Sequence, residues 1–356
     1  MRMIKRGSIS RSKALCIRLA AAVLSLLVCA IVIVAITKQN PLEVYAGIVD
    51  GAVGTGRRLW VTIRETIFLL IVAVGLTPAF KMRFWNIGAE GQILMGGAVS
   101  AAVMIYLGKS LPNALVILLI FVSSALIGML WGLIPAYFKA RYNTNETLFT
   151  LMLNYVAMQI VTFCIVYWEN PPGSNTVGVI NAANRGGWIP PLFGTYGMCV
   201  LLVAAVTVFI AIYMNRSKHG YEIAVVGESQ NTARYAGINV KKVIIRTMML
   251  SGAICGFAGA LIVSGSSHTI STGTAGGRGF TAIIVAWMSK FNPAIMVIVS
   301  LFLAFMQQGA IQIASQFGLN ENASDIITGI ILFFLIGCEF FVNYRLEVTI
   351  KNSPKH

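Results

Sequence analysis

Runs of about 20 apolar residues recur from residue 17 to residue 342, separated by short polar gaps, and this constrains the chain more than anything else in it. A run that long matches the hydrocarbon thickness of a bilayer when wound as a helix. The sequence therefore predicts an all-α polytopic membrane protein. Ten segments can be drawn: Ile17–Thr37, Trp60–Thr77, Phe84–Leu107, Asn113–Phe138, Thr147–Tyr167, Leu192–Met214, Val243–Val263, Phe280–Met288, Pro293–Ile313 and Ile326–Val342. Phe280–Met288 is too short to cross alone; it reads as a half-helix or as part of a longer element through the glycine-rich stretch before it. The basic N-terminus (residues 1–16) leads into a run longer than a signal-peptide core, and KQNPLEVYAG after it is a poor cleavage site, so the first segment reads as an anchor. No separate soluble domain or clear repeat is visible, and residues 1–356 are expected to form a single membrane domain.

Composition removes several classes. Hydrophobic residues make up 57% and charged residues 11%, outside the range of a soluble globular chain. The net charge of +15 sits in the gaps between runs rather than on one face, which argues against nucleic-acid binding. The six cysteines and three histidines are scattered without ligand spacing, so neither a disulfide framework nor a metal site is expected. The chain lacks a G-x-x-x-x-G-K-[ST] loop: Gly51 to Arg58 has neither the lysine nor the hydroxyl that would hold phosphate and magnesium. No nucleophile–base pair or metal constellation marks an enzyme.

Charge also gives an orientation. Alternating ten segments from an inside N-terminus leaves twenty basic residues inside and seven outside, so both termini are expected in the cytoplasm. The stretch Trp168–Pro191, rich in Pro, Gly and Asn, then becomes an outward loop. Two small-residue spacings, Gly128-x-x-x-Gly132 and Gly252-x-x-x-Gly256 with Gly259, predict close helix approach.

Polar residues inside the apolar runs are the candidates for contact with a solute. Asn86, Glu90 and Gln92 open the third segment, Asn154 lies in the fifth and Gln307 in the ninth. Glu90 is the one carboxylate singled out: it either belongs to a polar path or braces helix ends with Lys81 or Arg83. The amides suit transient hydrogen bonds to a neutral solute, or simply bond neighbouring helices. Arg278, in GTAGGRG before the short eighth segment, meets a solute or reaches to the interface.

The polar island Asn215–Arg246 carries six Lys and Arg residues between two long spans. Ser229 and Asn231 offer capping oxygens, Thr232 to Tyr235 make about one helical turn, and Gly237 suits a left-handed end. Such a segment fits docking into a groove of a soluble partner, or is an ordinary solvated loop.

Three motifs carry a resemblance: FWNIGAEGQ (84–92), ETLFTLMLNYVA (146–157) and VVGESQNTARYAGI (225–238). Together the chain resembles the permease subunits of bacterial ABC importers for nucleosides and simple sugars, within the broad branched-chain amino acid and ribose permease group, over about residues 15–345. NIGAEGQ with LMLNY points to the nucleoside branch, and the length is similar to the longer of its two permeases. The resemblance implies a fold like the vitamin B12 permease, a multi-pass place in the bacterial cell membrane, and no cofactor in this chain. It implies a second, dissimilar permease, two ATPases that bind ATP and magnesium, and an extracellular solute-binding (lipo)protein as partners. It also implies that Thr232-Ala233-x-x-x-Gly237, with Gly227, Glu228 and Arg234, forms the coupling segment to the ATPase; Thr232 stands where the family pattern has Ala. The reading is an importer permease for a nucleoside-like neutral solute, with ribose or another simple sugar as the alternative. A transporter driven by an ion gradient would want intramembrane carboxylate partners, and only Glu90 is a candidate for one.

Overall fold

A computed structural model of the chain describes residues 2–5, 11–38, 40–316, 326–327, 329–330, 333–334, 337 and 344–347. These residues form two compact units, one from residues 1–62 and 302–356, the other from residues 63–301. Seven helices among the described residues are long and apolar enough to cross a membrane: Gly56–Lys81 (α3), Ala89–Leu107 (α4), Asn113–Tyr142 (α5), Glu146–Tyr167 (α6), Gly197–Arg216 (α7), Val240–Ser267, and Pro293–Gln316 (α12). Each overlaps one expected segment. The expected first segment lies in α1 (Arg11–Thr37), whose described apolar part, Val23–Ala35, is shorter than a span. The expected eighth is the eleven-residue α11, Arg278–Met288. Most of the expected tenth, Ile326–Val342, lies outside the described residues.

In the first unit the sequence reading misses a helix. Pro41–Val53 (α2) is too short to span, yet Asn40 caps it by accepting from Leu42 N at 3.0 Å, and proline occupies its first position. A Cβ on Gly51 would lie 2.3 Å from Cβ of Gln312, and one on Gly309 2.4 Å from Ile48, so α2 and the end of α12 meet nearly backbone to backbone. Cys29, Ile33, Val44, Ile48, Met306, Ile313 and Ile327 fill the space around that contact. Among the described residues the departure from an all-helical chain is one antiparallel pair, Arg2–Lys5 with Tyr344–Glu347, which joins the two ends of the chain.

The second unit is built on α4, α5 and α10 (Val240–Ile262, continued by a π-helical turn, Val263–Ser267). A Cβ on Gly96 would sit 2.1 Å from the carbonyl oxygen of Gly256; one on Gly128, 2.2 Å from that of Gly252; one on Gly259, 2.2 Å from that of Ile93. The two glycine spacings thus hold three helices together within this chain. Lipid tails are as apolar as leucine and drive no association, so such close approach and its dispersion contacts supply the attraction. The windows of α3, α4 and α10 are 72%, 61% and 72% buried, against 22%, 28% and 33% for α5, α6 and α7. On α5 the glycine face turns inward, and Leu118, Val122, Leu126, Leu130 and Ile134 form an exposed stripe at every fourth residue.

Candidate functional site

The break between α3 and α4, residues 82–88, puts non-helical backbone beside apolar spans, where each unpaired polar group is costly. Asn86 lies there with no exposed surface; its Nδ2 donates to Gln92 Oε1 at 3.4 Å and Ser251 Oγ at 3.3 Å, and its Oδ1 accepts from Gly88 N at 3.1 Å. From α6, Asn154 accepts from Gly91 N at 2.9 Å and donates to the Ile87 carbonyl at 3.0 Å, while Thr150 Oγ1 accepts from Ile87 N at 3.2 Å. Asn86, Gln92 and Asn154 are thus brought together, 0–5% exposed, and their amides satisfy the chain break and the start of α4. Gln307 belongs to the other unit, where its side chain is exposed on α12.

Glu90 leads elsewhere. Its oxygens accept from Gly277 N at 2.7 Å and Gly279 N at 2.8 Å, at the N-terminus of α11, rather than pairing with Lys81 or Arg83. The brace alternative is therefore corrected in its partner: a helix start offers unpaired N–H groups and a positive dipole end, which suit a carboxylate better than a flexible lysine whose head can reach water. Between those two glycines Arg278 extends to a residue the sequence reading passed over, Glu65 on α3. Arg278 Nε donates to Glu65 Oε2 at 3.1 Å, and Arg64 Nε donates to Glu65 Oε1 at 3.0 Å. Glu65 is 7% exposed, so a second intramembrane carboxylate joins Glu90, against the expectation of one. Arg278 Nη1 also donates to the carbonyls of Thr274 and Ala275, and the Arg64 guanidinium stands 5.6 Å from the ring centre of Tyr196. The signal available in the sequence was Arg64-Glu65 inside Trp60–Thr77; an adjacent pair of opposite sign neutralises itself and is easily read as a span boundary.

These charges border a cavity of about 280 Å³ lined by Arg64, Glu65, Phe68, Arg278 and the hydroxyl-bearing residues Ser266, Ser267, Thr269, Ser271 and Thr274. The three charged groups are engaged with one another, and the other polar side chains of the lining are uncharged Ser and Thr. Chemically the chamber can exchange hydrogen bonds with an uncharged, hydroxylated molecule. It contains no nucleophile beside a base.

The polar island folds as two short helices, Lys218–Glu228 (α8) and Gln230–Tyr235 (α9). Ser229 caps α9 by accepting from Thr232 N at 3.2 Å; Asn231 lies inside the helix instead. Gly237, at φ +76°, closes it, with Ile238 N donating to the Ala233 carbonyl at 2.9 Å. Ala233 is buried, while Glu228, Thr232, Arg234 and Gly237 are exposed and Tyr235 is 93% exposed. Gly227 is internal: a Cβ there would lie 2.1 Å from the Lys81 carbonyl oxygen, so α8 packs on the end of α3. Tyr235, the most prominent group on the segment, is expected from the sequence only as the end of a helical turn, because an aromatic residue beside a helix end carries no periodic signal.

The chain matches the family described as the branched-chain amino acid transport system permease component over residues 61–336. It is similar to the guanosine ABC transporter permease protein NupP of Bacillus subtilis, with 29% identity over 82% of this chain and 84% of that one. The nucleoside ABC transporter permease protein NupB of Lactococcus lactis is 26% identical over 86% of each chain. The glucose ABC transporter permease protein TsgB13 of Haloferax volcanii is 27% identical over 79% of this chain and 76% of its own. The glycine-packed bundle, the buried charges and the capped α9 therefore belong to a multi-pass membrane protein of the branched-chain amino acid transport system permease component family.

Proposed function

We propose that this chain is the membrane subunit of an ATP-driven importer that forms, with a second permease, the path for a nucleoside-like neutral solute across the bacterial cell membrane. The observation that carries the solute class is the cavity: five Ser and Thr residues line it, and its two arginines are already engaged by Glu65. A phosphate or carboxylate would want an unengaged guanidinium; a ribose hydroxyl exchanges bonds with Ser and Thr at little cost. The names of NupP and NupB support the nucleoside over other neutral solutes. A simple sugar is the second reading, favoured by the same hydroxyl lining and by the glucose permease relative.

Force enters through α9. Its exposed Thr232, Arg234 and Tyr235 stand on a segment pinned at one end by Ser229 and at the other by Gly237, a rigid knob suited to a groove on an ATPase that binds ATP and magnesium. Glu228 flanks it, and Gly227 ties it through α8 to the end of α3, so displacement of the knob reaches a helix that carries the cavity's Arg64 and Glu65. An extracellular solute-binding (lipo)protein completes the assembly, and the chain performs no covalent chemistry of its own. Pairing of the two chain ends supports an even number of crossings, in keeping with ten spans, both termini in the cytoplasm and a vitamin B12 permease-like arrangement. The exposed apolar stripe of α5 faces lipid or the second permease.

Uptake of radiolabelled guanosine, adenosine and ribose, in cells with and without this gene and with the ATPase active or inactivated, tests the reading. Nucleoside uptake should vanish in both the deletion and the ATPase-dead strain. Uptake that survives loss of the ATPase but collapses with the ion gradient would refute it.

A further inference from the structure

We infer that Glu90 is the positioning residue of an internal gate: its carboxylate holds the N-terminus of α11, and with it the glycine-rich wall of the cavity, in place. The inference rests on the transport reading above. An eleven-residue helix reaches about 16 Å, roughly half a bilayer. A half-helix that begins inside the protein needs partners for its first N–H groups, and α4 supplies them through the two oxygens of one side chain. The fit is tight. A Cβ on Gly279 would lie 2.5 Å from the Glu90 amide nitrogen, so only glycine lets α11 approach α4 this closely. Gly276 and Gly277 precede it at φ +59° and +72°, turning the chain into the helix start.

The loop held in this way is a wall of the cavity: Ser271, Gly273, Thr274 and Arg278 all line it. Upstream it joins α10 through the π-helical turn Val263–Ser267, a local departure from α geometry of the kind found at hinges. Two carboxylates on two helices secure the far end, and they differ in kind. Glu65 holds Arg278 by its side chain, which has rotatable bonds to spare, whereas Glu90 holds backbone on both sides of Arg278. Release of the Arg278 head alone leaves the wall where it is. Release of the Glu90 bonds frees it to pivot between the π turn and α11, a two-state element that a bound solute and the ATPases can bias in opposite directions.

The test uses the complete transporter in nanodiscs, with the six native cysteines replaced by alanine and a reporter thiol at Thr274→Cys, a cavity-wall position 8% exposed. A water-soluble maleimide should label this thiol slowly with Glu90 present and on the order of tenfold faster in E90A, while a second reporter, Ser110→Cys in the exposed turn after α4, keeps its rate. E90Q, isosteric and able to accept only one of the two bonds, should fall between, and it carries the test if E90A does not assemble. Labelling of Thr274→Cys at the unsubstituted rate in both variants overturns the gate, as does an equal rise at Ser110→Cys, which would mean general loosening. Reconstituted into sealed proteoliposomes, E90Q should hydrolyse ATP at close to the unsubstituted rate and import guanosine poorly. If the Glu90 protein itself imports neither nucleosides nor ribose, the transport reading fails while the labelling result still decides the gate.

Discussion

The charges around Glu65 and those of the α8–α9 segment obey opposite rules. Arg64, Glu65 and Arg278 lie among apolar helices, where each charge must find a partner of opposite sign, and they find one another across more than 200 residues of sequence. Arg216, Arg234, Lys241 and Lys242 lie in an exposed segment, where water stabilises each on its own. Position is therefore decisive in the first region and nearly free in the second. Loss of Glu65 strands both arginines of the first set, whereas in the exposed set a loss removes a feature of the surface and leaves the fold alone.

The strongest way to break the contrast is Glu65→Ala, which leaves two half-buried guanidiniums facing each other without their carboxylate. Removing one partner of a buried ion pair costs about 3–5 kcal/mol. The expected outcome is a large drop in the melting temperature of the solubilised protein and little assembled transporter on size-exclusion chromatography. An unchanged melting temperature would show that water reaches the site and that the buried set follows the surface rule after all. Arg278→Met comes next. Glu65 keeps Arg64 and the methionine fills the space, so the loss is on the order of 1–3 kcal/mol. Its ratio to the Glu65→Ala effect measures how far the two arginines share one carboxylate.

The same contrast explains what was legible in the sequence. The α9 segment could be read residue by residue, since Ser229 as cap and Gly237 as left-handed terminator act on neighbours three or four positions away. The seven long apolar helices were legible because length and apolarity are local as well, and the glycine spacings signalled close packing before any partner was known. The site was not. Asn86, Gln92 and Asn154 look like path residues in isolation, and only the fold shows that they satisfy a break in the backbone. Glu65 is hidden beside Arg64, and nothing within thirty residues of Glu90 points to Gly277 and Gly279. Helix α2 was hidden for a related reason: its signals, Asn40 and Pro41, are those of a soluble helix and carry no membrane-span pattern.

In the exposed segment the expected effects on stability are small and those on function large. Gly237→Asp forces a side chain into the left-handed region at a cost of about 1–2 kcal/mol; nothing lies within 4 Å of the added Cβ, so the chain should still fold and insert. Arg234→Glu should change stability by less than about 0.5 kcal/mol, since the side chain is exposed. Both should uncouple ATP hydrolysis from uptake; normal uptake with normal coupling in both would refute docking by α9.

The smallest effect sits between the two regimes, at His219 in α8, outside the spans. Burial pushes its imidazole below the usual range; Glu222 works in the opposite direction, Arg246 adds to the depression, and Nδ1 meets the Tyr213 hydroxyl. A histidine whose folded pKa lies below its unfolded one near 6.5 binds fewer protons in the native state. Its contribution to stability is present in full above that unfolded value and is lost as pH falls from there through the lower folded value. The melting temperature of the solubilised protein should therefore decline modestly between pH 7 and 5, and His219→Gln should flatten that part of the profile. A profile unchanged by the substitution would place His219 with the freely solvated charges of the segment. A steep one would place it with the buried set, because α8 would then depend on a neutral ring as the core of the second unit depends on the pairing of Glu65.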